Sequence, residues 1–340
     1  MKSEKENSQV QKMPRTKGSK VDSTESKEKV KESLRNGVKK IISTNNSTAK
    51  QDGEKIVKKP RKILNAFNGL SPREWTLLSR NVWTGISSPR NKRHIKHGAV
   101  FPLKLADRLV TMYSGKGDLV FDPFSGVGTT LVAAKNLGRN SIGFEINPEF
   151  AHLAEEWFSE EAASLFNIES ISRKLIVDDC RNMLKHLELS SVQVTVTSPP
   201  YANFIQRSLA DRAKTHKTSR IVHHNNSQVK QYSELASDFG NLDYDKFLIQ
   251  SQELFSDLLK VTKPDGYAIW VVKDYRLPPN RPYISMHSDL AQAAQNVGWL
   301  WHDLIIWDQN EQRSLVLLGY PTRFYTNQNC SFLVVLRKHG

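Results

Sequence analysis

The sequence predicts an α/β domain, an open and mostly parallel β-sheet with helices on both faces. Three observations carry the prediction. Short apolar runs alternate with longer helical stretches from about residue 100 onward, the pattern of repeated βα units. Successive runs end in acids, at Asp122, Glu145 and Asp178-Asp179, and open α/β sheets collect ligands at the carboxyl ends of their strands. The run from Val192 to Val196 ends in Thr197-Ser198-Pro199-Pro200-Tyr201. Two prolines fix two φ angles and remove two N–H donors, and each disfavours helix in the residue before it. Such a turn presents a hydroxyl and bare carbonyls beside an aromatic ring, which suits a planar ligand carrying an NH2 group and equally an ordinary strand-to-loop turn.

Composition sets the limits. The chain has 340 residues, enough for one large domain or two small ones. It contains no apolar run of the ~18 residues that a membrane span needs, and its start lacks the apolar segment of a signal peptide. Two cysteines, Cys180 and Cys330, have neither disulfide-framework nor metal-type spacing. A soluble cytoplasmic protein without a metal is expected. Net charge is +14, and residues 1–62 supply most of it, with about 18 Lys/Arg against 8 Asp/Glu. That is an electrostatic footprint for a polyanion, and equally the composition of a solubilising tail. The segment has no Phe, Trp or Tyr. It cannot bury enough apolar area to offset its ordering entropy, so it is read as a disordered tail with a marginal helix over 24–38.

The folded domain begins at residue 63. Ser71-Pro72-Arg73-Glu74 has the cap, first-position proline and third-position acid of a helix start. It predicts a helix over 72–80 that turns Trp75 and Leu78 inward. A basic loop follows over 87–97, where Arg90, Lys92 and Arg93 could grip phosphates. A helix is expected over 103–113 and a strand over 118–121. Then comes Asp122-Pro123-Phe124-Ser125-Gly126-Val127-Gly128-Thr129-Thr130, a glycine-bearing turn opening a helix to about residue 137. Strand, turn and helix in this order make a nucleotide-type pocket. The turn is neither GxGxxG nor a Walker loop, which argues against a dinucleotide or NTP hydrolysis.

A second strand over 141–144 delivers Glu145, an acid placed to accept both hydroxyls of a ribose. A helix over 148–165 and a strand over 175–177 lead to Asp178-Asp179, acids that could accept an adenine amino group. Residues 202–243 show no strong period and carry Arg207, Arg212, Lys214, Lys217 and Arg220 with His216, His223 and His224. A run this long is commonly a functional loop. Its histidines lack cysteine or carboxylate partners at ligand spacing, so contacts to phosphates or bases, or plain solvation, are expected of them. A helix over 244–261, a strand over 267–272, a helix over 288–296 and strands over 301–307 and 331–336 complete the chain.

The Asp122–Thr130 turn together with Thr197–Tyr201 resembles the amine-specific DNA methyltransferases, over about residues 70–338. These enzymes move a methyl group from S-adenosylmethionine (AdoMet) to cytosine N4 or adenine N6. The resemblance implies a Rossmann-like AdoMet-dependent methyltransferase fold with a mixed, mostly parallel seven-stranded sheet. It implies that Asp122, Pro123, Phe124, Gly126, Gly128, Thr129 and Thr130 face the amino-acid portion of AdoMet, and that Glu145 holds the ribose. Asp178 or Asp179 would meet the adenine. The segment from His97 through Phe101 and Pro102 resembles the one that helps hold the methionine end. Ser198, Pro199, Pro200 and Tyr201 would form the catalytic turn. Here the cofactor turn precedes the catalytic turn, whereas members with this style of motif often carry the catalytic turn first. The 202–243 insertion is therefore the candidate target-reading element.

The implied chemistry is direct displacement. Ser198 and the Pro199 carbonyl would accept the two N–H bonds of the amine and free its lone pair, with positioning and fixed dipoles doing most of the catalysis. A target base in duplex DNA must be flipped out, with Tyr201 as its stacking face. Ring-carbon methylation would need a thiolate, and neither cysteine stands in a catalytic turn. Serine at position 198 favours cytosine N4, because the adenine enzymes more often carry Asp or Asn there. Adenine N6 is the alternative, then an RNA exocyclic amine or a non-catalytic nucleic-acid-binding module. A partner restriction endonuclease and association with the nucleoid follow from the family alone.

Overall fold

A computed structural model describes residues 66–87, 89, 92–97, 100–164, 171–200, 235, 238–276, 282–313, 315, 322 and 324–340. All belong to the unit Leu64–Gly340. The expected tail over 1–62 and most of the 202–243 insertion lie outside the described residues.

The elements follow the hydrophobic periods closely. Helix α1, Pro72–Leu78, starts on the expected capping box: the Ser71 side chain accepts from the Glu74 N–H, and the Glu74 carboxylate accepts from the Ser71 N–H. It buries none of its residues, and Trp75 is exposed. The expectation that Trp75 packs inward is thus corrected. A seven-residue helix docked only at its end, through Leu78, has too little contact to cover a tryptophan.

Strand β1 is Val82–Trp83. Residues Lys92–His97, expected as a loop, form a short helix, α2. Helix α3 is Leu103–Tyr113, strand β2 Leu119–Asp122, helix α4 Thr129–Asn136, strand β3 Asn140–Glu145, helix α5 Pro148–Ser164 and strand β4 Arg173–Val177. A 3-10 turn over Cys180–Lys185 precedes β5, Val192–Thr197. After a 3-10 turn at Phe239–Asn241 come α6, Tyr244–Val261, and β6, Thr262–Val272. A small ribbon, β7 (Tyr275–Arg276) and β8 (Tyr283–Ile284), leads to α7, Met286–Asn296. Strands β9, Leu300–Asp308, and β10, Cys330–Arg337, end the chain.

The main sheet has eight strands, in the order β1-β9-β10-β6-β5-β2-β3-β4, rather than the seven expected. The additional strand is β1, which pairs with the edge of β9 in parallel, Val82 opposite Ile306. Two residues carry no readable period, so only the long-range pairing reveals them. β4, β3, β2, β5 and β6 run parallel, and β10 is antiparallel to both β6 and β9.

Both faces are covered. On one, Phe247, Leu254 and Leu258 of α6 and Leu290 and Ala294 of α7 pack on Trp270 and Val272. On the other, Leu105, Leu109 and Val110 of α3 pack on Ile269 and Val271. Alternation along β6 sends consecutive residues to opposite cores, as the two-residue period of a strand requires. The order reverses between β2 and β5. That makes the carboxyl end of this pair the topological switch point, where open α/β sheets bind ligands.

Candidate active site

The switch point is closed by one hydrogen bond. Asp122 ends β2 and Thr197 ends β5, and the Thr197 hydroxyl donates to Asp122 Oδ1 at 2.6 Å. The Phe124 N–H donates to the same oxygen at 3.0 Å. The Thr130 hydroxyl donates to the Val196 carbonyl at 3.2 Å and stands beside the same carboxyl. Asp122 is buried, and burial pushes its pKa up to about 6 against the pull of these three groups. The acid of the glycine-bearing turn and the strand that carries Ser198 are thereby one unit. Beyond Thr197, Pro199 is buried, while Ser198 and Pro200 are half-buried at the carboxyl edge. Tyr201 lies outside the described residues.

Glu145 ends β3 beside this unit. Its Oε2 accepts from the Gly126 N–H and its Oε1 from the Asn147 N–H, both at 2.8 Å. Burial raises its pKa to about 7, opposed by those two bonds and reinforced by the charges of Asp238 and Asp122. The glycine turn is shaped by close approach. Gly126 has φ +52°, and a Cβ there would stand 2.8 Å from His97 Nε2; Gly128 has φ +82°, and a Cβ would stand 2.7 Å from the Phe158 ring. Only glycine combines that conformation with those neighbours.

Gly128 then caps α4 in the left-handed region with no side-chain hydrogen bond to the helix. The first-turn N–H groups of a helix have no intrahelical partner, so this end favours an anion such as a carboxylate. The Thr129 hydroxyl at the same end is buried without a hydrogen-bond partner among the described residues. Buried hydroxyls are seldom left so. An unused donor and a glycine cradle at a helix start fit the amino-acid end of AdoMet.

His97 closes this end from α2. It is buried against Phe150 with ring centroids 4.4 Å apart, and burial, then the neighbouring His94, lower its pKa to about 4. Phe101 and Pro102 are half-buried just before α3, where Pro102 is the N-cap. Pro123 is buried and Phe124 half-buried in the turn.

At the end of β4, Asp178 Oδ1 accepts from the Asp179 N–H at 2.7 Å and from Asn182 at 2.9 Å. These bonds hold its carboxyl below the usual carboxylate range. Asp179 caps the 3-10 turn through the Arg181 N–H and is ion-paired to the Arg181 side chain. Each acid therefore already has protein partners.

Asp238 and Phe239 lie near the end of the 202–243 stretch, where no local period marks them. The Phe239 ring meets Phe124 edge-on at 5.2 Å and lies 5.7 Å from the Arg181 guanidinium. Asp238 is buried and caps the 3-10 turn through the Gly240 N–H. This segment meets the glycine turn through Phe124 and lies near Arg181 and Glu145.

In the basic stretch before α3, Arg93 and Lys96 are ion-paired. Arg93 pairs with Glu160 and lies 4.0 Å from Glu156, while Lys96 pairs with Glu149 at 2.6 Å. His94 is buried edge-on to Trp157. Acids of α5 thus pair with two of the cations of α2. Lys92 belongs to α2, and its side chain is not described; Arg90, Arg207, Arg212, Lys214, Lys217 and Arg220, with His216, His223 and His224, lie outside the described residues.

Both cysteines are free thiols. Burial raises the Cys180 pKa well above the ordinary value and that of Cys330 less, so neither is poised as a thiolate. A cavity of about 360 Å³ lined by Phe67, Trp75, Tyr113, Tyr267, His302 and Asp303 does not include the turn residues. Among the described residues no helix is long and apolar enough to cross a membrane.

Parts of the chain match known proteins. Residues 4–156 match the N6/N4 methyltransferase family model, described as DNA methylase. The chain is 46% identical over 84 residues to the type II methyltransferase M.MthZI of Methanothermobacter thermautotrophicus, covering 24% of each. It is 39% identical over 99 residues to the type II methyltransferase M.BglI of Bacillus subtilis, covering 29% of this chain and 28% of that one. The matches therefore span about a quarter of the length of these relatives. Among solved structures, a TehB-like SAM-dependent methyltransferase of Corynebacterium glutamicum aligns with a TM-score of 0.37 at 13% identity, covering 69% of this chain and 87% of that one. The family and relative matches are to a DNA methylase family model and to type II methyltransferases, each over less than half of this chain.

Proposed function

We propose that this protein transfers a methyl group from AdoMet to an exocyclic amine of duplex DNA, with cytosine N4 as the acceptor. The observation that carries the reading is the Thr197–Asp122 hydrogen bond, which sets the Ser198 turn against the glycine-bearing turn at the switch point. The residues fit the cofactor in parts. The start of α4 with Thr129 suits a carboxylate, Glu145 suits a ribose, and Asp178 or Asp179 suits the adenine edge. Bound there, AdoMet supplies an electrophilic methyl group.

The protein's part is positional. Ser198 Oγ and the Pro199 carbonyl accept the two N–H bonds of the amine, draw its lone pair out of the ring and hold it in line for displacement. Tyr201 stacks on the flipped base. Residues 202–243 read the target sequence, and the basic tail over 1–62 adds attraction for DNA that does not depend on sequence. A restriction endonuclease of the same specificity is the functional partner, and the protein acts at the nucleoid.

The test is incubation of the purified protein with methyl-labelled AdoMet and either duplex DNA or tRNA, followed by digestion to nucleosides. N4-methylcytosine from the duplex is expected. N6-methyladenine would move the acceptor to adenine. Label only in tRNA would make the substrate RNA. DNA binding without methyl transfer would favour a non-catalytic module.

A further inference from the structure

We propose that the cavity bounded by α1, the end of α3 and the start of β9 is a second binding site, one for a nucleotide whose base carries an exocyclic amine. The site is separate from the candidate active site and does not rest on the methyl-transfer reading.

The cavity has a volume of about 360 Å³, and Phe67, Trp75, Arg80, Tyr113, Tyr267 and Asp303 are among its lining residues. That size suits a small ligand. Asp303 lies on β9, three strand positions from β5 in the sheet, about 14 Å across from the strand that leads to Ser198.

Four of these six side chains are aromatic. Tyr267 is their hub, with its ring centroid 4.9 Å from that of Tyr113 and 6.3 Å from that of a near-parallel Phe67. Phe67 and Trp75 are exposed, so the tryptophan that α1 leaves unburied forms part of the cavity wall. Exposed aromatic surface rimmed by polar groups marks binding grooves, and any nucleobase can stack on such rings.

Three polar groups at the cavity keep open capacity. Tyr113 is buried, but its hydroxyl makes no hydrogen bond among the described residues. Burial, then the charge of Asp303, raise its pKa. Asp303 spends one carboxylate oxygen on the Leu304 N–H at 2.8 Å, and its other oxygen accepts nothing among the described residues. The Arg80 guanidinium pairs neither with Asp303 nor with another acid among the described residues, although Arg80 and Asp303 line the same cavity. An apolar guest would leave both charges unmatched, and an inorganic ion would leave the rings bare. A guest with a flat ring, an N–H donor and an anionic group meets all three demands. Its ring stacks on Phe67 and Trp75, its amine donates to Asp303, and its phosphate takes the Arg80 fork. A 5′-nucleotide of adenine or cytosine has this composition, free or at the end of a DNA strand.

The test is calorimetric titration of the full chain with AMP, with IMP, which carries a carbonyl in place of the amine, and with adenosine, which lacks the phosphate. The proteins are wild type, Trp75→Ala, Arg80→Gln, Asp303→Asn and Glu145→Gln. Trp75, Arg80 and Asp303 are exposed, and thermal melts check that their variants stay folded. Wild type is expected to bind AMP about tenfold more tightly than IMP or adenosine, the scale of one charge-assisted hydrogen bond. Trp75→Ala and Arg80→Gln should each weaken AMP about tenfold, through a lost stacking face and a lost phosphate contact. Asp303→Asn should erase the preference over IMP, because an amide can donate to the carbonyl, and Glu145→Gln should leave AMP affinity unchanged. Absence of AMP binding by wild type overturns the site, and so does binding of phenylalanine without AMP. AMP affinity that survives both Trp75→Ala and Arg80→Gln but falls in Glu145→Gln also overturns it, since the nucleotide would then occupy the AdoMet pocket. A 5′-phosphorylated single strand that binds more tightly than AMP, with the same loss in Arg80→Gln, assigns the site to a strand end; weaker binding of the strand assigns it to the free nucleotide.

Discussion

The Thr197 hydroxyl donates to Asp122 Oδ1 at 2.6 Å across 75 residues of sequence. This bond couples the end of β5 to the end of β2 at the place where the strand order reverses. Replacing Thr197 with valine keeps shape and removes the donor from a buried carboxyl. A loss of about 1–3 kcal/mol is expected, measured by urea denaturation. The Asp122 pKa should rise further, and methyl transfer should fall as the Ser198 turn loosens.

Acid titration follows from Glu145. Its pKa is raised from 4.5 to about 7, chiefly by burial. A carboxyl with a raised folded-state pKa binds more protons folded than unfolded between those values. Its contribution to stability is therefore full below about pH 4.5 and is lost as pH rises through about 7. Glu145→Gln should remove that part of the pH dependence in thermal melts. The ribose contact runs the other way: two hydroxyls are best accepted by the carboxylate, so AdoMet should bind more tightly as pH rises through about 7. Calorimetry of wild type and Glu145→Gln from pH 5 to 9 checks both signs.

Thr129 separates folding from binding. Its hydroxyl has no hydrogen-bond partner among the described residues, so Thr129→Val should leave stability unchanged or slightly higher. If the hydroxyl serves the cofactor, AdoMet affinity drops about tenfold, the ~1.4 kcal/mol of one polar contact. Equal AdoMet affinity in the variant would remove Thr129 from the site.

Ser198→Ala tests the catalytic turn. The side chain is half-buried at the strand end, so little stability is at stake. AdoMet and duplex affinities should hold, while single-turnover methyl transfer falls about 100-fold, the scale of one lost transition-state hydrogen-bonding group. Full transfer by the variant would reject the role given to Ser198.

Much of the architecture was legible in the chain. The helix over 103–113 and the helix over 244–261 appear with the predicted bounds, because amphipathic period and caps are local properties. The strand ends at Asp122, Glu145 and Val177 were readable for the same reason. Three features were not. β1 is two residues long and exists only through its pairing with β9. The Lys92–His97 stretch reads as a charged loop until α5 supplies carboxylates to hold it. Asp238 and Phe239 look like the end of an insertion, and only packing against Phe124 and the nearness of Glu145 draw them to the pocket.

The sequence by itself determined the alternating α/β class, the glycine-bearing turn and the proline-fixed turn at Ser198. Each depends on hydrophobic period, caps and φ restrictions that act within a few residues. The tertiary structure decided what those pieces face. It brought Thr197 to Asp122, buried Glu145 and His97 deeply enough to shift their proton equilibria, and paired Arg93 with acids of α5. These outcomes depend on contacts between residues far apart in the chain and on the low dielectric that burial creates, and no local pattern encodes either.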